Sequence, residues 1–213
     1  MWVRLFALPL AATVLLATAH ISAQEPVVLR PLDAGGRITY FIADGSPDSA
    51  YRAGDEDLAT WALSAWSAAL NGALRFEPSP EPDALVRIYF VPTSAGQYGE
   101  ARPIEVNGRQ GAVVYIRADT DALGNQIGSR ARLDSLLRDT IVYLTCVHEL
   151  GHAIGLYHTA DFADVMYFFG FGGDIPAFFY RYRTQLKTRA DIANVPGLSS
   201  GDIERVRVLY RRN

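Results

Sequence analysis

Residues 148–167, HELGHAIGLYHTADFADVMY, hold three of the chain's four histidines within their first eleven positions. On a helix, residues four apart share a face, so His148 and His152 aim two imidazoles at one point. Glu149, about 100° further round, flanks that point without occupying it. Gly155 lies close to two turns after His148 and supplies the positive φ that ends a helix and redirects the chain. That turn returns His158 as a third imidazole. Three nitrogen ligands at about 2.0–2.1 Å leave the fourth tetrahedral position of a zinc ion open to water, the mark of a catalytic rather than a closed structural site. Zinc lowers the pKa of its water towards about 7, and Glu149 stands where a general base would take the proton. A lone histidine is usually a core or solvated residue, but three with a glutamate and a glycine at ligand spacing point to metal.

A chain of 213 residues suits one domain. Its 20 Lys and Arg against 23 Asp and Glu, for a net charge of −3, form no basic stripe, so nucleic acid is not an expected partner. The first residues combine Arg4, an apolar run from Leu5 to Leu16 and small-residue cleavage sites at Ala17-Thr18-Ala19 and Ile21-Ser22-Ala23. They read as a signal peptide over 1–23, followed by a lead over 24–36 and a single catalytic domain over 37–213. The apolar run is shorter than the ~20 residues of a spanning helix, so no stable membrane span is expected after cleavage, and the protein is expected to be secreted or periplasmic. Cleavage also removes His20, leaving every remaining histidine in the quoted stretch. The single Cys146 has no partner for a disulfide.

Arg37 to Ala43 (RITYFIA) is β-branched and aromatic, as a strand requires. From Asp55, apolar residues at Leu58, Trp61, Ala62, Ala65, Trp66, Ala69 and Leu70 predict an amphipathic helix. Short apolar runs at 74–76, 85–91 and 111–118, the last after a polar loop, bring the strands to three or four. Asp119 to Asn125 faintly resembles a calcium loop, but Leu123 and Arg130 stand where oxygen ligands are needed, so an ordinary turn is expected and calcium is unsupported. A second helix is predicted from Asp134 to Gly155. Beyond the aromatic stretch 167–182, expected to be mostly core, against the alternatives of lining the substrate pocket or offering an apolar patch to a partner or membrane surface, Ser199 and Asp202 form a capping box for a C-terminal helix. This order of elements predicts an α+β fold.

His148-Glu149-Leu150-Gly151-His152-Ala153-Ile154-Gly155-Leu156-Tyr157-His158 resembles the zinc signature of the metzincin metallopeptidases. Met166, in Asp164-Val165-Met166-Tyr167, resembles their Met-turn, at a spacing like that of the matrixin branch, the matrix metalloproteinase family. WSAALNGALRF and LSSGDIERVRVLY resemble the matrixin first helix and closing helix. The resemblance implies a twisted mixed, mostly parallel sheet with two long helices plus a C-terminal helix. It implies one catalytic zinc on His148, His152 and His158, Glu149 as general base and acid, and Met166 as support beneath the metal. It also implies a peptide lying extended along an edge strand, expected to be Gly111 to Ala118.

Some family features are missing. No upstream cysteine can cap the zinc, and Cys146, about 200° around the helix from His148, reads as a small buried hydrophobe. The structural zinc of vertebrate matrixins lacks its histidines here. Phe168 stands where other metzincins carry a tyrosine, so no catalytic tyrosine is assigned. Asp33 in the lead is a candidate to approach the zinc in a latent form. The expected function is zinc-dependent endopeptidase, against two alternatives: a zinc-holding module that binds peptides or a partner without cutting them, and a zinc hydrolase with a non-peptide substrate. The oligomeric state is not legible.

Overall fold

The computed structural model describes residues 30–32, 35–92, 94 and 98–211. The signal-peptide assignment and the Asp33 assignment lie outside the described residues.

The fold is α+β. Five strands, β1 (Arg37–Ile42), β2 (Arg75–Pro78), β3 (Val86–Phe90), β4 (Gly99–Val106) and β5 (Arg109–Ile116), form one sheet in the order β2-β1-β3-β5-β4. β1, β2, β3 and β5 run parallel, and β4 is antiparallel to β5. Helices α1 (Asp55–Ala69), α2 (Asn125–Leu133), α3 (Ser135–Ala153), α4 (Ile175–Arg183) and α5 (Ser200–Tyr210) complete the fold. No helix among the described residues is long and apolar enough to cross a membrane.

The expected edge strand is overturned. Residues 111–116 lie in β5, an interior strand between β3 and β4, and the edge is β4. Its sequence, GEARPIEV, reads as a polar loop because it carries Glu100, Arg102, Pro103 and Glu105. Charge and proline are what exposed edges tolerate and interior strands do not. Asn107 and Gly108, at φ 52° and 75°, form the two-residue turn that joins β4 to β5, and an Asn-Gly pair between strands is itself a hairpin signal.

The core lies between the sheet and the two long helices. Ile38, Val86, Ile88, Val114 and Ile116 from the sheet join Leu58, Ala62 and Trp66 of α1 and Ile141, Val142 and Leu150 of α3, all buried. The helices are also tied by polar contacts. Trp66 donates its indole N–H to the Val147 carbonyl at 2.9 Å. At the other end, the Arg138 guanidinium forks onto both oxygens of Asp55, at 2.7 Å to Oδ2, and reaches the Ala50 carbonyl at 3.0 Å. Leu32 of the lead is buried and its N–H donates to Tyr210 of α5, whose hydroxyl donates to the Ile154 carbonyl at the end of α3.

The 119–125 segment contains a short 3-10 turn in which Asp119 accepts the Asp121 N–H at 2.9 Å, while Asp121 pairs with Arg132. The aromatic stretch divides. Phe178, Phe179 and Tyr182 enter the core from α4, whereas Phe168 and Phe171 are 42% and 64% exposed.

Both members of the Asp55–Arg138 pair are 2% exposed. Removing one strands a buried charge, so Asp55→Ala is expected to destabilise the fold by about 3–5 kcal/mol. Chemical denaturation measures this, and a loss below about 1 kcal/mol, the range of an exposed pair, would refute the reading.

Candidate metal and catalytic site

The site is built on α3. Asp134 caps its N-terminus by accepting the Leu137 N–H at 3.0 Å, and the helix runs for 19 residues through His148, Glu149 and His152. It stops at Gly155, whose φ of 99° no side-chain-bearing residue adopts easily. Gly155 and Leu156 N–H groups donate back to the His152 and Gly151 carbonyls, closing the helix end. A Cβ at residue 155 would also press on the backbone of Pro31 and Arg30. The chain then returns so that the Nε2 atom of His158 lies 3.2 Å from that of His148 and 3.1 Å from that of His152.

The Nδ1 protons of the two helix histidines are accounted for. His148 Nδ1 donates to the Val165 carbonyl at 2.7 Å and His152 Nδ1 to the Leu156 carbonyl at 2.8 Å. A carbonyl only accepts, so in a neutral ring each Nε2 is left with a free lone pair. Burial, reinforced by the neighbouring His152, drives His148 down to about 3, and the same causes drive His158 to about 4. Burial also lowers His152. All three rings are therefore neutral at physiological pH. Tetrahedral bonds of about 2.0–2.1 Å place ligand atoms about 3.3 Å apart, close to the spacing found. The donor set fits zinc.

Glu149 is 7% exposed and beside Gly99, the first residue of β4. Burial, then the nearby Glu100 charge, pushes its carboxyl up to about 8. A bound divalent cation acts in the opposite sense and favours the carboxylate. Met166 is fully buried, with its sulfur where a Gly151 Cβ would stand, so the glycine in the motif makes room for the Met166 turn. Asp202, read only as a cap for α5, also accepts the Val165 N–H at 2.8 Å, and Val165 is the residue whose carbonyl orients His148. That second role has no sequence signal, because a capping box says nothing of what else the carboxylate meets.

A cavity of about 250 Å³ opens beside His148, Glu149 and His158. Its walls are Tyr98 and Gly99 from the β4 edge, Leu144 on α3, Val165, and a group of phenylalanines at 168, 169, 178 and 179. Sequence reasoning left the β4 contribution out, whereas the aromatic stretch, expected to be mostly core with pocket lining as an alternative, does both. Phe168 stacks on His158 with ring centroids 4.7 Å apart. Cys146 is fully buried, and burial raises its thiol pKa far from the thiolate range, consistent with a packing role.

The family model described as Matrixin matches residues 33–171, which include the three histidines, Glu149 and Met166. Stromelysin-1 of Mus musculus is 31% identical over 136 residues, covering 61% of this chain and 26% of that protein. The chain thus spans about a quarter of the length of that relative. Two solved structures of myroilysin align at 18% and 16% identity with TM-scores of 0.37 and 0.38. They cover 82% and 88% of this chain, and the chain covers 75% and 92% of theirs.

Because the Gly155 turn delivers His158, Gly155→Ala is expected to cost about 1–3 kcal/mol of stability from backbone strain and to weaken zinc uptake. Equilibrium dialysis with thermal melting tests both. Unchanged zinc uptake in a folded variant would show that the turn is not what places the third imidazole.

Proposed function

The chain belongs to the matrixin family of metallopeptidases, and we propose that it is a zinc-dependent endopeptidase whose catalytic domain spans 37–213. The observation that carries this reading is the convergence of three neutral imidazoles beside a buried glutamate, in a cleft bordered by an open strand edge. His148, His152 and His158 would hold one zinc ion, with Met166 packed beneath them. When bound, the ion supplies a Lewis acid for the scissile carbonyl and a water whose pKa is lowered towards about 7.

The remaining work falls to the chain's own groups. Glu149 takes the proton of the attacking water and delivers it to the departing amine. Its surroundings suit the task, because burial and the nearby Glu100 charge raise the proton affinity of its carboxylate. β4 is the last strand of the sheet among the described residues, so its outward N–H and C=O groups meet no further described strand and would pair with an extended peptide. A peptide so aligned passes over Glu149 at Gly99 and places one side chain in the phenylalanine-walled cavity, which favours an apolar residue there. Export, with residues 1–23 removed as a signal peptide, is part of the same proposal.

Glu149→Ala is expected to keep one zinc per chain and to lower cleavage of a mixed-peptide substrate by about 10²–10⁴-fold, with chelator abolishing the parent's activity. Zinc in both proteins but cleavage in neither, on denatured proteins and peptides alike, would favour a binding module or a non-peptide hydrolase. Gly99→Ala supplies a finer test. Its methyl would overlap the Glu149 carboxylate, so zinc content should stay unchanged while kcat/KM falls by about 10²-fold, the cost of a misplacement near 1 Å. Full activity in this variant would separate Glu149 from the β4 edge.

A further inference from the structure

His158 is the imidazole of the set that α3 does not hold, and its own Nδ1 has no hydrogen-bond partner among the described residues. Its placement comes through the next residue. Thr159 N–H donates to the Met166 carbonyl at 2.9 Å, and Phe168 N–H donates to the Thr159 carbonyl at 3.1 Å, so the histidine loop and the Met166 segment are zipped together. The Thr159 hydroxyl donates to Asp164 Oδ2 at 2.8 Å.

Asp164 is 1% exposed, and its other side-chain partners come from the C-terminal region. The Ser199 hydroxyl, at the cap of α5, donates to Oδ1, and Arg205 of α5 sets a guanidinium nitrogen against Oδ2. The same nitrogen lies 3.4 Å from Asp202, fully buried, which accepts the Val165 N–H. Arg205 thus sits between two buried carboxylates, one on the histidine side and one on the helix. Gly201 leaves the space for this contact, since a Cβ there would stand 2.8 Å from Asp164 Oδ1 and 3.1 Å from the Arg205 guanidinium.

A buried carboxylate holds its geometry only while its lone pairs are met. Without Arg205, Asp164 has reason to turn towards water, and the Thr159 hydroxyl goes with it. We propose that Asp164 and Arg205 are positioning residues that fix the third imidazole, so that docking of α5 sets the affinity of the site for zinc. The proposal rests on the zinc reading of the three histidines.

The test measures the zinc dissociation constant of the full chain after export processing, by competition with a chromophoric chelator. Arg205→Ala and Asp164→Asn are each expected to weaken binding about 10–100-fold, the usual effect of losing a partner behind a metal ligand, with faster zinc release. Arg205→Lys should restore part of the affinity. Arg207→Ala, which breaks a different α5 contact to the Ala69 carbonyl, should lower thermal stability and leave zinc affinity unchanged. A merely structural role would make the Arg205 and Arg207 variants behave alike. If Arg205→Ala does not fold, Thr159→Val carries the test, with weaker binding expected from loss of one hydroxyl. Parent-like zinc affinity in Asp164→Asn and Thr159→Val overturns the proposal while leaving the zinc site standing. A parent chain that binds no zinc overturns the site itself, and this inference with it.

Discussion

Three imidazole lone pairs aimed at one point repel one another, and they must be held there by something other than their mutual contact. In this protein the restraint is the pair of backbone carbonyls that accept the outer ring protons of His148 and His152. Those two hydrogen bonds choose the tautomer and turn the inner nitrogens towards a common centre, while burial keeps the rings neutral against the pull of the same carbonyls, which favour the protonated form. Each carbonyl is in turn fixed by the fold. Leu156 follows the glycine that closes α3, and Val165 is clamped by Asp202 from α5. The candidate metal site is therefore the meeting point of a helix end, a turn and a distant helix, and none of the three can shift alone.

The long helices serve that constraint. α3 is gripped at its start by the buried Arg138–Asp55 pair and near its middle by the Trp66 indole, so the segment that carries His148 and His152 is set against α1 and the sheet with little freedom to slide or roll. The parallel strands provide the surface on which it rests. Reversing the last strand turns β4 outward as an open edge and brings Gly99 against Glu149. One topological choice thus supplies both the edge proposed to take an extended peptide and the close wall that raises the glutamate's proton affinity.

The phenylalanines after Met166 show how the same stretch can pack the core and wall a cavity together. Phe178 and Phe179 are buried from α4, yet they form the far wall of the cavity, while Phe169 packs on Phe178 with ring centroids 4.9 Å apart. Phe168 stays at the rim and stacks on His158. The cavity's size and shape follow from how α4 docks, and α4 lies beyond the part of the chain that the family model matches.

What the sequence determined by itself is the local geometry: two histidines four apart on a helix, a glutamate between them, a glycine to end the helix, and the serine and aspartate that cap α5. These are legible because helix period and cap chemistry act over a few residues, where side-chain identity dominates. The order of strands was not legible. β4 looks like a polar loop, and an interior β5 cannot be told from an edge by its own apolar pattern, because edge status depends on which strand lies alongside. Nor could sequence show that Asp202 holds the Met166 turn, that Asp164 links Thr159 to Arg205, or that α4 closes the cavity. Each of these is a contact between residues far apart in the chain, and only the packing of sheet, helices and turn into one core decided which of them would meet.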